Sequence, residues 1–171
     1  VANGDVRVPE AIAPGDAAGW WAKKRATLGS ALVLTAPGLP MLFQGQELLE
    51  DRWFDDTVAL DWSKAGTHQG ILRLHRDLIA LRRDVPALRA GMFQPLTFQP
   101  GAILAYLRES SDQTVLVALN FSRRPQKLVL GAALARKQWR LLLSSQRERL
   151  DETRFNLLPL APFEACILLQ R

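Results

Sequence analysis

The chain contains a single cysteine, Cys166, so no internal disulfide forms within its 171 residues, and a lone thiol fits the reducing cytoplasm. Long apolar runs are also missing. The longest, Ala31 to Leu34 and Met41 to Phe43, are interrupted by Thr, Pro, Gly and Gln. Neither approaches the roughly 20 residues of a membrane-spanning helix, so no membrane contact is expected. The opening Val1-Ala2-Asn3-Gly4-Asp5 is polar, lacks the apolar core of a signal peptide and does not begin with Met, a hint of truncation or processing. Only two histidines occur, His68 and His75, seven apart, and no other ligand type accompanies them. Zinc sites want three or four ligands and calcium loops want Asp-rich spacing, so neither a metal nor an organic cofactor is expected.

The remaining composition is that of a globular protein, 48% hydrophobic, with a net charge of +5. The basic residues are scattered in short runs, Lys23-Lys24-Arg25, Arg82-Arg83, Arg123-Arg124 and Arg136-Lys137. Zinc-finger spacing, aromatic-basic RNA signatures and helix-turn-helix patterns are all absent, so these runs read as solvated faces and not as a nucleic-acid surface.

Residues 1–15 read as loop, with turn signals at Asn3-Gly4 and Pro14-Gly15. Asp16 is placed to cap a helix from about Ala17 to Leu34, where Trp21, Leu28, Leu32 and Thr35 fall at helical spacing. Pro37-Gly38 ends it, and Leu39–Gln44 reads as a short buried strand. Residues 45–65 form a long loop rich in aromatic and acidic residues, which predicts an ordered functional loop. Thr67 is placed to cap a second helix, about His68 to Arg83, with Ile71, Leu74, Leu78 and Leu81 as its stripe. Asp84-Val85-Pro86 stops that helix, because the residue before proline is pushed out of the α region. Beyond residue 90 six strands are expected: Met92–Gln99, Ala102–Arg108, Thr114–Phe121, Gln126–Leu130, Gln138–Ser144 and Phe163–Leu169. They are separated by turns at Gln99-Pro100-Gly101, Glu109–Asp112 and Ser122–Pro125. The pattern is that of a small antiparallel sandwich, with the boundary near residues 86–92.

The most informative run is Gly38-Leu39-Pro40-Met41-Leu42-Phe43-Gln44-Gly45-Gln46-Glu47. It resembles the G-x-P-x-x-x-x-G-x-E region at the eighth barrel strand of glycoside hydrolase family 13, the family of the α-amylases, glucan branching enzymes and trehalohydrolases. Ala59-Leu60-Asp61-Trp62 resembles the LDW of branching-enzyme-like members. Residues 22–34 and 70–88 resemble the seventh and eighth barrel helices, and Val117–Phe121 resembles a strand of the family's C-terminal sandwich. The resemblance implies an α+β fragment: the last βα segment of a (β/α)8 barrel over residues 1–88, then an all-β antiparallel sandwich over residues 89–171. Functional side chains of such barrels sit at the C-terminal ends of the strands. Gln46, Glu47 and Trp53 are therefore the expected substrate-binding residues, and α-1,4-glucan or maltooligosaccharide is the expected ligand in the full enzyme.

Retaining glycosidases need two carboxyl groups roughly 5–5.5 Å apart. In the family these stand on the fourth and fifth strands, with a further Asp on the seventh, all upstream of Val1. Asp55-Asp56 and Glu50-Asp51 are sequence neighbours whose side chains tend to diverge, so no catalytic residue is expected in this chain. Glu47 reads first as a buried structural carboxylate and second as a sugar contact. Trp53 suits stacking on a pyranose ring and loop packing equally, Trp20 and Trp21 read as helix anchors, and Cys166 reads as a buried inert thiol. A barrel piece without its other strands is expected to self-associate or to be partly disordered over residues 1–65. A stand-alone carbohydrate-binding or assembly module, without catalysis, is the alternative reading.

Overall fold

The computed structural model describes residues 6–98, 102–150 and 153–171. The turns expected at Asn3-Gly4 and Gln99-Pro100-Gly101 lie outside the described residues.

The chain begins with a helical stretch. A short α1 (Val8–Ile12) leads to the long α2 (Trp20–Thr35). The segment 36–63 is mostly coil, with a 3-10 turn at Gln46–Leu48. Then come α3 (Lys64–Thr67), α4 (Gln69–Asp84) and α5 (Pro86–Ala90). The long helices α2 and α4 lie within two residues or so of the expected spans, except that α2 starts after Gly19 and its first backbone amides receive no cap from Asp16. Thr67 closes α3, and His68 stands at the N-cap of α4. Val85 is extended and ends α4, as a residue before proline should.

A five-stranded antiparallel sheet follows, in the order β1-β2-β3-β7-β5. Its strands are β1 (Met92–Phe98), β2 (Ile103–Glu109), β3 (Thr114–Asn120), β5 (Trp139–Ser144) and β7 (Ala165–Gln170). A second sheet pairs β4 (Gln126–Val129) with β6 (Leu157–Leu160), and a one-turn α6 (Ala132–Ala135) precedes β5. Strand β6 and helix α6 escape the sequence reading. Pro159 interrupts Leu-Leu-Pro-Leu, and proline is tolerated in β6 because a two-stranded sheet leaves each strand an unpaired edge. Pro95 likewise sits on edge strand β1, beside a bulge between Pro95 and Thr97.

Alternation along β3 divides the core in two. Val115, Val117 and Leu119 face the helices, where they meet Leu28 and Ala31 of α2, Leu78 of α4, and Ala87 and Leu88 of α5. Leu116 and Ala118 face the small sheet, against Leu128, Leu158, Leu160 and the fully buried Trp139. Both faces of the large sheet are thus covered, which is why its central strands are apolar throughout and not alternately polar. Cys166 lies in the second cluster, and burial pushes its thiol up to about 12, leaving it inert.

Polar links fasten the helices to the sheet. Arg108 of β2, buried and without a carboxylate partner among the described residues, donates to the carbonyls of Thr35 (2.8 Å) and Gly91 (2.9 Å). Arg82 of α4 donates to the carbonyls of Ala36 (2.6 Å) and Gly38. Two guanidinium groups therefore satisfy carbonyls at the C-terminal end of α2, where the helix dipole favours positive charge. Tyr106 shares a 2.6 Å hydroxyl–hydroxyl hydrogen bond with Thr35 beside them.

One expected element is absent. Residues 39–44 form no strand and run as coil, with Leu39 fully exposed and Met41 63% exposed. A strand exists through its ladder, and among the described residues nothing pairs with this segment.

Candidate substrate-binding loop

The expected site residues lie on the segment between α2 and α4, and the buried carboxylate of Glu50 organises it. One Glu50 oxygen accepts from the backbone amides of Asp51 (3.1 Å) and Arg52 (3.2 Å) and from Nζ of Lys64 (2.7 Å). Both oxygens take the Arg52 guanidinium in a fork, at 3.1 and 3.0 Å. Burial alone would raise the Glu50 pKa, but the hydrogen bonds from Arg52 and Lys64 outweigh it and hold the carboxyl well below its usual range. Lys64 also meets Asp51, so α3 is tied to the start of the loop.

The backbone makes room for this arrangement. Gly45 has φ of 86°, and a Cβ there would stand 2.7 Å from the Cβ of Glu50. Leu49 also adopts a left-handed conformation, φ of 56°, and this turns Glu50 back over Gly45, whose carbonyl accepts its amide at 2.9 Å. From the N-terminal side Arg7 closes the loop. It donates to the carbonyls of Arg52 (2.8 Å) and Gln44 and lies 5.0 and 5.7 Å from the ring centres of Phe43 and Phe54.

These contacts shape a cleft of about 250 Å³ lined by Arg7, Glu50, Arg52, Trp53, Val58 and Leu60 among others. Trp53 stands in its wall with 60% of its surface free. Gln46 and Glu47 are elsewhere. The Gln46 side-chain oxygen accepts the amide of Phe43 at 2.8 Å and closes the turn locally. Glu47 is half-buried and faces His75 of α4, whose pKa burial lowers while the Ile71 carbonyl and the Glu47 charge partly oppose that. The three expected substrate residues thus share one loop but not one surface. The buried structural carboxylate is Glu50, three residues beyond the one expected. The signal available for it was the Glu50-Asp51-Arg52 run with Lys64 downstream, and Arg7 offered none.

The arrangement offers polar donors and an exposed indole beside a shallow cleft, which is the chemistry of binding a hydroxyl-rich ligand. Within it the Glu50 carboxylate is fully engaged, and Asp55 and Asp61 each accept from a hydroxyl two residues ahead, Thr57 and Ser63.

Known proteins resemble this chain in three ways. Residues 94–167 match the family described as the maltogenic amylase C-terminal domain. In sequence, the chain is 33% identical over 149 residues to a 1,4-α-glucan branching enzyme of Rhodococcus jostii, covering 79% of this chain and 20% of the relative. It is 34% identical over 145 residues to that of Pseudomonas putida (79% and 19%) and 38% identical over 119 residues to that of Methylobacillus flagellatus (64% and 16%). The chain therefore spans a fifth or less of the length of these relatives. In fold, it superposes on the trehalulose synthase MutB of Pseudomonas mesoacidophila with a TM-score of 0.78 at 18% identity, over 99% of this chain and 42% of that one. A pullulanase of Anoxybacillus sp., solved with maltotetraose, gives 0.76 at 19% identity, over 98% and 26%. In sequence and in fold, the chain matches the C-terminal region of α-glucan-acting enzymes of glycoside hydrolase family 13.

Proposed function

We propose that this chain is the C-terminal portion of a retaining α-glucan enzyme, either a hydrolase or a branching transglycosylase, working in the cytoplasm. Residues 1–88 supply the last helices of a (β/α)8 barrel and, at 39–44, the segment that becomes its eighth strand once neighbouring strands pair with it, and residues 89–171 are its C-terminal β domain. The catalytic carboxylates come from the preceding barrel strands, so the chain alone is inactive. The loop from Gln44 to Trp62 forms part of the sugar cleft, with Trp53 packing on a glucose ring and Gln46 and Glu47 completing the surface once the barrel is closed.

The observation that carries this reading is the state of the 39–62 segment. It holds the family motif, yet it exposes Leu39, Met41, Trp53, Val58 and Trp62 and pairs with no strand among the described residues. That is the surface expected of a barrel edge whose neighbouring strands belong to another part of the protein.

The test compares the 171-residue chain with a protein extended upstream of Val1 by its own coding sequence. On amylose, the extended protein should lower iodine absorbance and form new branch points or release reducing ends, which distinguishes branching from hydrolysis. The 171-residue chain should do neither, and Trp53→Ala in the extended protein should raise KM several-fold. Turnover of maltooligosaccharide by the 171-residue chain would refute the proposal. Saturable binding of maltooligosaccharide by the isolated β domain would transfer support to a stand-alone binding module.

A further inference from the structure

On the side of the molecule where α2 begins, the turn after β3 and the turn before β7 enclose a cleft of about 390 Å³. Trp21, Arg25, Phe121, Arg123, Arg124 and Phe163 line it. Three guanidinium groups meet there, and among the described residues no carboxylate joins them. None of the three forms an ion pair with the described protein. This is unlike the chain's other well-placed cations. Arg52, Lys64 and Arg147 are matched to acids, and Arg82 and Arg108 to helix-end carbonyls.

The cleft is held in shape before any ligand arrives. Arg123 lies over the Trp21 ring at 3.8 Å from its centre, and Arg25, one helical turn beyond Trp21, lies 5.3 Å from it. Stacking uses the face of a guanidinium and leaves its in-plane N–H donors free. Phe163, in a left-handed conformation with φ of 53°, packs edge-on against Trp21 at 4.9 Å. The buried Asn120 fixes the turn that carries Arg123 and Arg124. Its amide donates to the carbonyls of Arg124 (2.9 Å) and Ala161 (2.8 Å), and its oxygen accepts from the amide and hydroxyl of Ser122. Holding three like charges together is unfavourable until a counter-charge joins them, and a rigid cradle keeps more of its binding energy than a floppy one.

We propose that this cleft binds a phosphate group, carried either by free orthophosphate or by a small phosphorylated sugar. Arg25, Arg123 and Arg124 provide the donors. Guanidinium forks match tetrahedral oxyanions in charge and in geometry. The rings of Phe121 and Phe163 offer the apolar wall against which the sugar part of a phosphosugar packs.

Calorimetric titration of the 171-residue chain with orthophosphate, glucose 6-phosphate and glucose tests this at low ionic strength. Saturable millimolar or tighter binding is expected for at least one phosphate and none for glucose, and it should weaken as salt is added. Tighter binding of glucose 6-phosphate than of orthophosphate identifies the phosphosugar as the ligand, and equal binding identifies the free anion. Arg25→Gln and Arg124→Gln should each weaken binding about tenfold, the loss of one charge-assisted contact. Neither of these side chains donates a hydrogen bond to the described protein, so both variants should fold. Arg123→Gln, which also loses the stack on Trp21, is read together with its melting temperature. In a heteronuclear spectrum the indole N–H of Trp21 should shift with phosphate while that of Trp62 stays in place. The proposal is overturned if neither phosphate binds saturably, or if the Arg25→Gln/Arg124→Gln double variant binds as the parent does.

Discussion

At the scale of single residues, Glu50 and the two histidines contribute to the molecule's response to acid. Six hydrogen bonds converge on the Glu50 carboxylate, from Asp51, Arg52, Asp61 and Lys64. Its folded pKa lies well below the ordinary 4.5, so the unfolded chain takes up this proton first as pH falls. The stability it contributes is therefore complete above about pH 4.5 and is lost progressively below it. His75 and His68 act in an earlier window. Burial lowers both from 6.5, and Lys23 and Lys64 lower His68 further, against the nearby Asp51. Each is neutral in the fold and protonates first in the unfolded chain, so stability declines as pH drops below about 6.5. Urea unfolding followed from pH 8 to pH 3 should show both stages. Glu50→Gln should lose about 3 kcal/mol at pH 7, as expected when one partner of a buried ion pair is removed, and should flatten the lower stage only. An unchanged profile below pH 4.5 in that variant would rule out the assignment.

At the scale of elements, the junction between α5 and β1 leaves no room for a side chain. A Cβ on Gly91 would stand 2.3 Å from the carbonyl oxygen of Ala87 and 2.7 Å from that of Glu109, and both are backbone atoms that cannot swing aside. The Gly91 carbonyl also receives Arg108 at 2.9 Å. Gly91→Ala should therefore cost about 1–3 kcal/mol, read as a lower denaturation midpoint, whereas alanine at the exposed Gly131, with open space around it, should change little. Nothing in the sequence marks Gly91 as crowded, because the crowding comes from the C-terminal turn of α5 and from β2, some eighteen positions away. What the sequence does reveal follows the same logic. The stripe of α4 is legible because its apolar period repeats locally, and β2, β3 and β7 because each is a short, nearly continuous apolar run. Strand β6 is hidden by Pro159, which the open edge of a two-stranded sheet permits. The motif at 38–47 locates the loop, but which carboxylate is buried there depends on left-handed turns at Gly45 and Leu49, and a leucine in that conformation cannot be foreseen from its neighbours.

At the scale of the whole molecule, the helices and the sheet share one apolar core. Leu28, Leu78 and Leu88 pack with Tyr106, Val117 and Ile167, so the helical segment covers a sheet face that would otherwise meet water. Exposed apolar surface is concentrated along residues 39–62. There Leu39 is fully exposed, and Met41, Val58 and Trp62 are each more than half exposed. The amides and carbonyls of 39–44 also belong to no ladder among the described residues. Apolar side chains joined to an unpaired backbone are a template for pairing with a second chain. The 171-residue chain should accordingly associate with itself through this segment. Sedimentation velocity over a concentration series should show the weight-average mass rising with concentration, and Leu39→Lys/Met41→Lys should return it to the monomer value. In the same variant, the β-sheet core should keep its amide-exchange protection, because Leu39 and Met41 lie outside both buried clusters. A parent chain that stays monomeric throughout the series would mean that the segment shields its own apolar groups, and the barrel-edge interpretation would lose its main physical support.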